Sequence, residues 1–157
     1  EFNLQITGWL PVQRDVFIEW DLESTPLEIR TDSVLGSYNQ VYVDFYSAGG
    51  DAAGGVKIHF YSSLQYFLGW CSITETNFPT TLPSEIKKVW RITLNRIAGV
   101  RLVIHCNEEE VINTLMSNST CADSDWSTYW SKEVAKIKFR SIDTASDYYQ
   151  PQGTCVC

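Results

Sequence analysis

Residues 41–61 read VYVDFYSAGGDAAGGVKIHFY. In the first run Val41, Val43 and Phe45 alternate with Tyr42, Asp44 and Tyr46. In the last run Val56, Ile58 and Phe60 alternate with Lys57, His59 and Tyr61. A period of two places one set of side chains on each face of an extended chain, so both runs predict half-buried β-strands. The link Ala48–Gly55 has four glycines in eight residues and reads as a flexible hairpin loop. If the two strands pair across it, Tyr42, Asp44, Tyr46, Lys57, His59 and Tyr61 form one aromatic, hydrogen-bonding surface. Sugars suit such a surface, because their C–H faces stack on rings and their hydroxyls pair with polar groups.

The same alternation recurs outward from this hairpin. Trp90, Ile92 and Leu94 share one face of a strand, and Leu102, Ile104 and Cys106 share one face of the next. Asn107-Glu108 makes a tight turn into a strand over 109–116. Ala135, Ile137 and Phe139 alternate with Lys136, Lys138 and Arg140. Val16–Asp21 and Leu27–Thr31 predict two further strands, separated by a turn at Ser24-Thr25-Pro26. Twelve Val and twelve Ile stand against seven Ala and one Met, a bias toward strands. Gly69 and the stretch from Thr74 to Ser84 predict a long loop. One short helix is allowed, at Ser84–Lys88 or Asp125–Lys132. Many short strands with regular turn signals predict an all-β fold, an antiparallel β-sandwich of jelly-roll type. Residues 1–150 are read as one domain, followed by a cysteine-containing tail, 151–157, with the composition of a loose end.

The segment Val89–Ile112, VWRITLNRIAGVRLVIHCNEEEVI, resembles the late strands of laminin-G-like and galectin-like domains of the concanavalin-type jelly roll. In those families a W-x-I strand is followed by an apolar strand ending in Asn-Gly, and here Asn107-Glu108 stands in that place. The resemblance implies an extracellular module that binds glycans or proteins. The galectin sugar-binding signature is H-x-N-x-R followed by W-x-x-E-x-R. His59-Phe60-Tyr61-Ser62-Ser63 lacks the Asn and the Arg, and no W-x-x-E-x-R run occurs.

Charge narrows the partners. The formal net charge of the 157 residues is −7, and Lys and Arg form no block. Nucleic acid is excluded as a partner, because phosphate neutralisation supplies most of that affinity. No apolar run approaches the ~20 residues of a membrane helix, so no membrane insertion is expected.

The five cysteines, Cys71, Cys106, Cys121, Cys155 and Cys157, are disulfide candidates. Their number is odd. An extended C-x-C holds its side chains about 6–7 Å apart, so Cys155 and Cys157 do not bridge each other easily. One of them is then free to pair with a second chain in a disulfide-linked homodimer. Asn118-Ser119-Thr120 is an N-glycosylation sequon in a polar stretch. Together these features predict a secreted, extracellular glycoprotein. The start at Glu1-Phe2 without Met reads as a removed leader or a cloning scar.

Other constellations are weaker. Trp126 and Trp130 flank Tyr129 beside Asp123 and Asp125, a second candidate ligand platform. Asp123, Asp125, Asp143 and Asp147 offer oxygens to Ca²⁺ without the spacing of a calcium loop, and no other cofactor is indicated. Glu108-Glu109-Glu110 sits at a turn, where neighbouring side chains diverge. His59 and His105 fall on the polar faces of strands. No nucleophile–base signature is present, which argues against an enzyme. The leading reading is a lectin-like recognition module. The alternatives are an adhesive protein–protein module of a matrix or surface and, third, a secreted hydrolase with a carboxylate pair.

Overall fold

Each of the alternating runs becomes a strand. A computed structural model describes residues 3–4, 8–32, 39–60, 65–68, 76–77, 85–115, 132–142, 146–150 and 155–156. The strands are β1 (Asn3–Leu4), β2 (Trp9–Pro11), β3 (Phe17–Glu19), β4 (Leu27–Thr31), β5 (Asn39–Tyr46), β6 (Ala52–Phe60) and β7 (Gln65–Leu68). They continue with β8 (Thr76–Asn77), β9 (Lys88–Asn95), β10 (Arg101–Cys106), β11 (Glu109–Leu115), β12 (Lys136–Ile142), β13 (Ser146–Tyr149) and β14 (Cys155–Val156).

Two six-stranded antiparallel sheets result. The first has the order β11-β10-β9-β4-β13-β2, and the second β3-β12-β5-β6-β7-β8. A separate pair joins β1 to β14, with Leu4 opposite Cys155. The tail read as a loose end therefore carries a strand.

The apolar half of each alternation meets the other sheet. Leu27, Ile29, Trp90, Ile92, Leu102 and Ile104 come from the first sheet, and Val41, Val43, Phe45, Ile58, Ile137 and Phe139 from the second. The sheets touch where Phe139 lies 5.7 Å from Tyr148, ring centroid to centroid. Burying each large apolar side chain stabilises the fold by about 1.5–3 kcal/mol. The two indole N–H groups that enter the core are bonded. The Trp90 Nε1–H donates to Thr31 Oγ1 at 3.0 Å, and the Trp20 Nε1–H donates to the Thr25 carbonyl at 3.0 Å.

Four expectations change. No helix occurs among the described residues. Glu85–Lys87 leads straight into β9, held by a 2.6 Å bond from Lys88 Nζ to the Glu85 carbonyl. The second helical candidate, Asp125–Lys132, lies outside the described residues except for Lys132. The glycine-rich link is shorter than its composition suggests, because Ala52–Gly55 belong to β6. The turn itself is closed by the Ser47 and Asp51 backbones at 2.8 Å. Gly54 carries φ 106°, and the β5–β6 register shifts between Asp44 and Tyr46. Glycine here makes a bulge and a close approach rather than a floppy loop. The long loop from Thr74 to Ser84 contains β8. Finally, Cys106 is a free, buried cysteine, so it is not a disulfide partner. It ends the inward row of β10, and burial pushes its thiol up to about 12.

Candidate functional site

The second sheet turns its polar half-pattern outward. β12 lies between β3 and β5, with Lys136 opposite both Glu19 and Tyr46 and Lys138 opposite both Phe17 and Asp44. The register slips between Phe139 and Ser141, so Arg140 sits in a bulge. On the other side β5 pairs with β6, placing Lys57 opposite Tyr42 and His59 opposite Gln40. One face thus collects Phe17, Tyr42, Asp44, Tyr46, Lys57, Lys136, Lys138 and Arg140.

Its rings carry cations. The Arg140 guanidinium lies over the Tyr42 ring at 4.0 Å, and Lys57 Nζ lies over the same ring at 5.1 Å. Lys138 Nζ is 4.1 Å from the Phe17 centroid and 5.3 Å from that of Tyr46, while Lys136 Nζ is 5.7 Å from Phe17. Phe17 and Tyr46 meet edge to face at 5.1 Å. Such contacts come from the ring quadrupole and hold a cation without neutralising it.

Asp44 differs from its expected role. It is 3% exposed, and its Oδ2 accepts a 2.8 Å bond from Arg140 Nε. Burial raises its carboxyl above the ordinary value, and Arg140 opposes that rise. Lys57 is also buried, at 6% exposure. The surface expected from Tyr42, Asp44, Tyr46 and Lys57 therefore has both its acid and its lysine beneath it. The Tyr46 hydroxyl is held protonated, first by burial and then by the Asp44 charge. A protonated phenol can both donate and accept a hydrogen bond. Sequence reading missed Phe17, Lys136, Lys138 and Arg140 as members of this face.

Other candidates separate from it. Tyr61, Trp126, Trp130, Asn118, Cys71, Cys121 and Cys157 lie outside the described residues, and His59 and Cys155 are placed only by their strands. Asp147 faces outward on the first sheet and is paired with Arg30 at 2.7 Å. The other carboxylates offered for Ca²⁺, Asp123, Asp125 and Asp143, lie outside the described residues. Among the described residues no three His, Cys, Asp or Glu side chains are grouped to hold a metal ion. Nor is any helix among them long and apolar enough to cross a membrane.

Two larger clefts lie elsewhere among the described residues. One, of 570 Å³, is lined by Trp20 and the carboxylates Glu19, Asp21, Glu23 and Glu133. Its Glu23 is tied to Arg96 at 2.6 Å. The other, of 490 Å³, lies on the first sheet and includes Trp9, Glu28, Arg91 and His105. His105 is half-buried there, with a buried Nδ1 that has no partner.

No protein-family model matches the sequence, and no curated protein matches it. Solved structures do match the fold. Galectin LEC-6 from Caenorhabditis elegans superposes with a TM-score of 0.50 at 12% identity, covering 92% of this chain and 96% of that one. A tetrameric galectin from the ball sponge Cinachyrella sp. superposes with a TM-score of 0.51 at 13% identity, covering 90% of this chain and 99% of that one. At such identity the likeness is one of architecture: the chain has a galectin-like β-sandwich of the concanavalin-type jelly roll.

Proposed function

We propose that this protein is a secreted glycan-recognition module that works through the outer face of the second sheet. The observation that carries the reading is the set of rings on the two strands that flank β12, Phe17 on β3 and Tyr42 and Tyr46 on β5, with cations seated on each ring. Rings supply apolar platforms, and the Tyr46 hydroxyl, the lysine ammoniums and the Arg140 guanidinium supply hydrogen bonds to hydroxyls. The galectin-like sandwich supports the reading at the level of fold. Sites of this open kind bind single sugars weakly, and a second copy of the module raises the affinity through effective concentration.

An extracellular setting goes with this reading. With Cys106 free in the core, the odd thiol is accounted for. Cys71, Cys121, Cys155 and Cys157 remain as an even set for bridges within the chain or between two chains. Asn118 is the acceptor for an N-linked glycan.

A broad glycan array tests the central part. The native protein binds at least one glycan class, and Phe17→Ala weakens that binding about tenfold while leaving the fold intact, since Phe17 is 49% exposed. An array without a single bound glycan would end the lectin reading.

A further inference from the structure

The aromatic groups of this face are each partly covered by a cation. Tyr42, Tyr46 and Phe17 each hold at least one cation against the ring, and Phe17 and Tyr46 also meet edge to face. Solvent therefore meets positive charge beside the half-exposed Phe17 ring. The charges come chiefly from one strand. Lys136, Lys138 and Arg140 recur at every second residue of β12, which spaces neighbours about 6.5–7 Å apart. The acids nearby are Asp44, which is engaged by Arg140, and Asp15 and Glu19 toward the β3 edge. Among the described residues neither Lys136 nor Lys138 meets a carboxylate at ion-pair distance. This concentration of cations belongs to a chain whose net charge is −7. The positive face is thus set against the charge of the molecule as a whole, and it steers anions toward itself.

We propose that the ligand of this face is a sulfated glycan, with a sulfate ester seated between Lys136 and Lys138 beside the Phe17 ring. The inference rests on the glycan-binding reading above and adds the ligand class. Sulfate is favoured over a uronate carboxylate by the kind of cation on offer. A planar carboxylate is best met by the two-pronged fork of an arginine, and the fork of Arg140 is already turned to Asp44. Lysine ammoniums are compact point charges with rotatable donors and accept a tetrahedral oxyanion from any side. Lys136 and Lys138 are half-buried with their Nζ atoms beside the Phe17 ring, which limits how far the charges swing from the surface.

The test uses three probes on the whole chain: a heparin-derived tetrasaccharide, the same tetrasaccharide chemically desulfated but keeping its carboxylates, and a panel of neutral oligosaccharides. Binding is measured by calorimetry at low and at near-physiological salt. The sulfated probe binds at least tenfold more tightly than the desulfated one, and its affinity falls as salt rises. Lys138→Gln and Lys136→Gln each reduce that affinity severalfold, with unchanged thermal midpoints. Equal affinity for sulfated and desulfated probes, or lysine variants that bind the sulfated probe like the native chain, would overturn the proposal. Neutral binding without sulfate preference overturns this proposal alone and leaves the glycan reading standing. Failure of all three probe classes overturns both.

Discussion

Cys106 shows how one position decides between two chemistries. Its place at the end of the Leu102–Ile104–Cys106 row was legible from alternation, and the row faces the core. A buried thiol resists ionisation because a thiolate is poorly solvated there. The folded-state value is raised from 9.0 to about 12, so the thiol stays neutral in the fold while an unfolded chain releases its proton above pH ~9. The stability tied to this group is therefore complete below the unfolded value and is lost as pH rises toward the folded one. Each unit of that interval corresponds to about 1.4 kcal/mol. Native protein should lose about 2 kcal/mol more than Cys106→Ala between roughly pH 8 and pH 10.5, measured by urea unfolding. Equal losses in the two proteins would show that the thiol is not buried. Asp44 teaches the complementary lesson. Alternation puts it on the polar face, but depth on that face depends on neighbours. Arg140, 96 residues away in sequence, covers it.

At the level of elements, long alternating runs were readable and short irregular ones were not. β5, β9, β10 and β12 carry inward residues at every second position. The polar half of each names its outward face. β7, β8 and β13 have no such record, since Gln65–Leu68 and Ser146–Tyr149 mix apolar and polar residues without a clear period. Turn chemistry was partly legible. Asn107 and Glu108 both adopt positive φ, 48° and 72°, which is the conformation that a two-residue hairpin turn requires. Asn107 Oδ1 accepts the Val89 N–H at 2.7 Å, tying the turn back to β9. The glycine run misled, because glycine signals either freedom or crowding. At Gly55 it is crowding: an added Cβ would lie 2.9 Å from the Val43 carbonyl oxygen and 3.3 Å from Asp44 Cα. Gly55→Ala should cost about 1–3 kcal/mol by denaturant midpoint, the range for overpacking. Gly49→Ala, whose nearest neighbour is Ser47 Oγ at 4.0 Å, should change stability by less than about 0.5 kcal/mol. If both variants behave alike, the strand assignment of Ala52–Gly55 loses its support.

For the whole molecule, the decisive step was the order of strands, which periodicity cannot supply. β12 carries the Lys136–Lys138–Arg140 row in plain sight of a sequence reader. Nothing local says that this row lies beside Tyr46 and Tyr42 rather than on the opposite sheet. Sheet order brings it there, and with it the candidate site changes from a hairpin surface of tyrosines to a cationic face shared by β3, β12, β5 and β6. The first sheet presents a different outer surface, with Trp9 against Tyr149 at 5.5 Å and Arg30 pinned by Asp147 at 2.7 Å. The two faces are far enough apart in chemistry that a ligand distinguishes them. The direct measurement is an amide and methyl chemical-shift map of the labelled protein, titrated with the glycan that binds best. Shifts confined to β3, β5, β6 and β12, centred on Phe17, Tyr46 and Lys138, are the predicted result. Shifts centred instead on Trp9, Arg91 and His105 of the first sheet would contradict it.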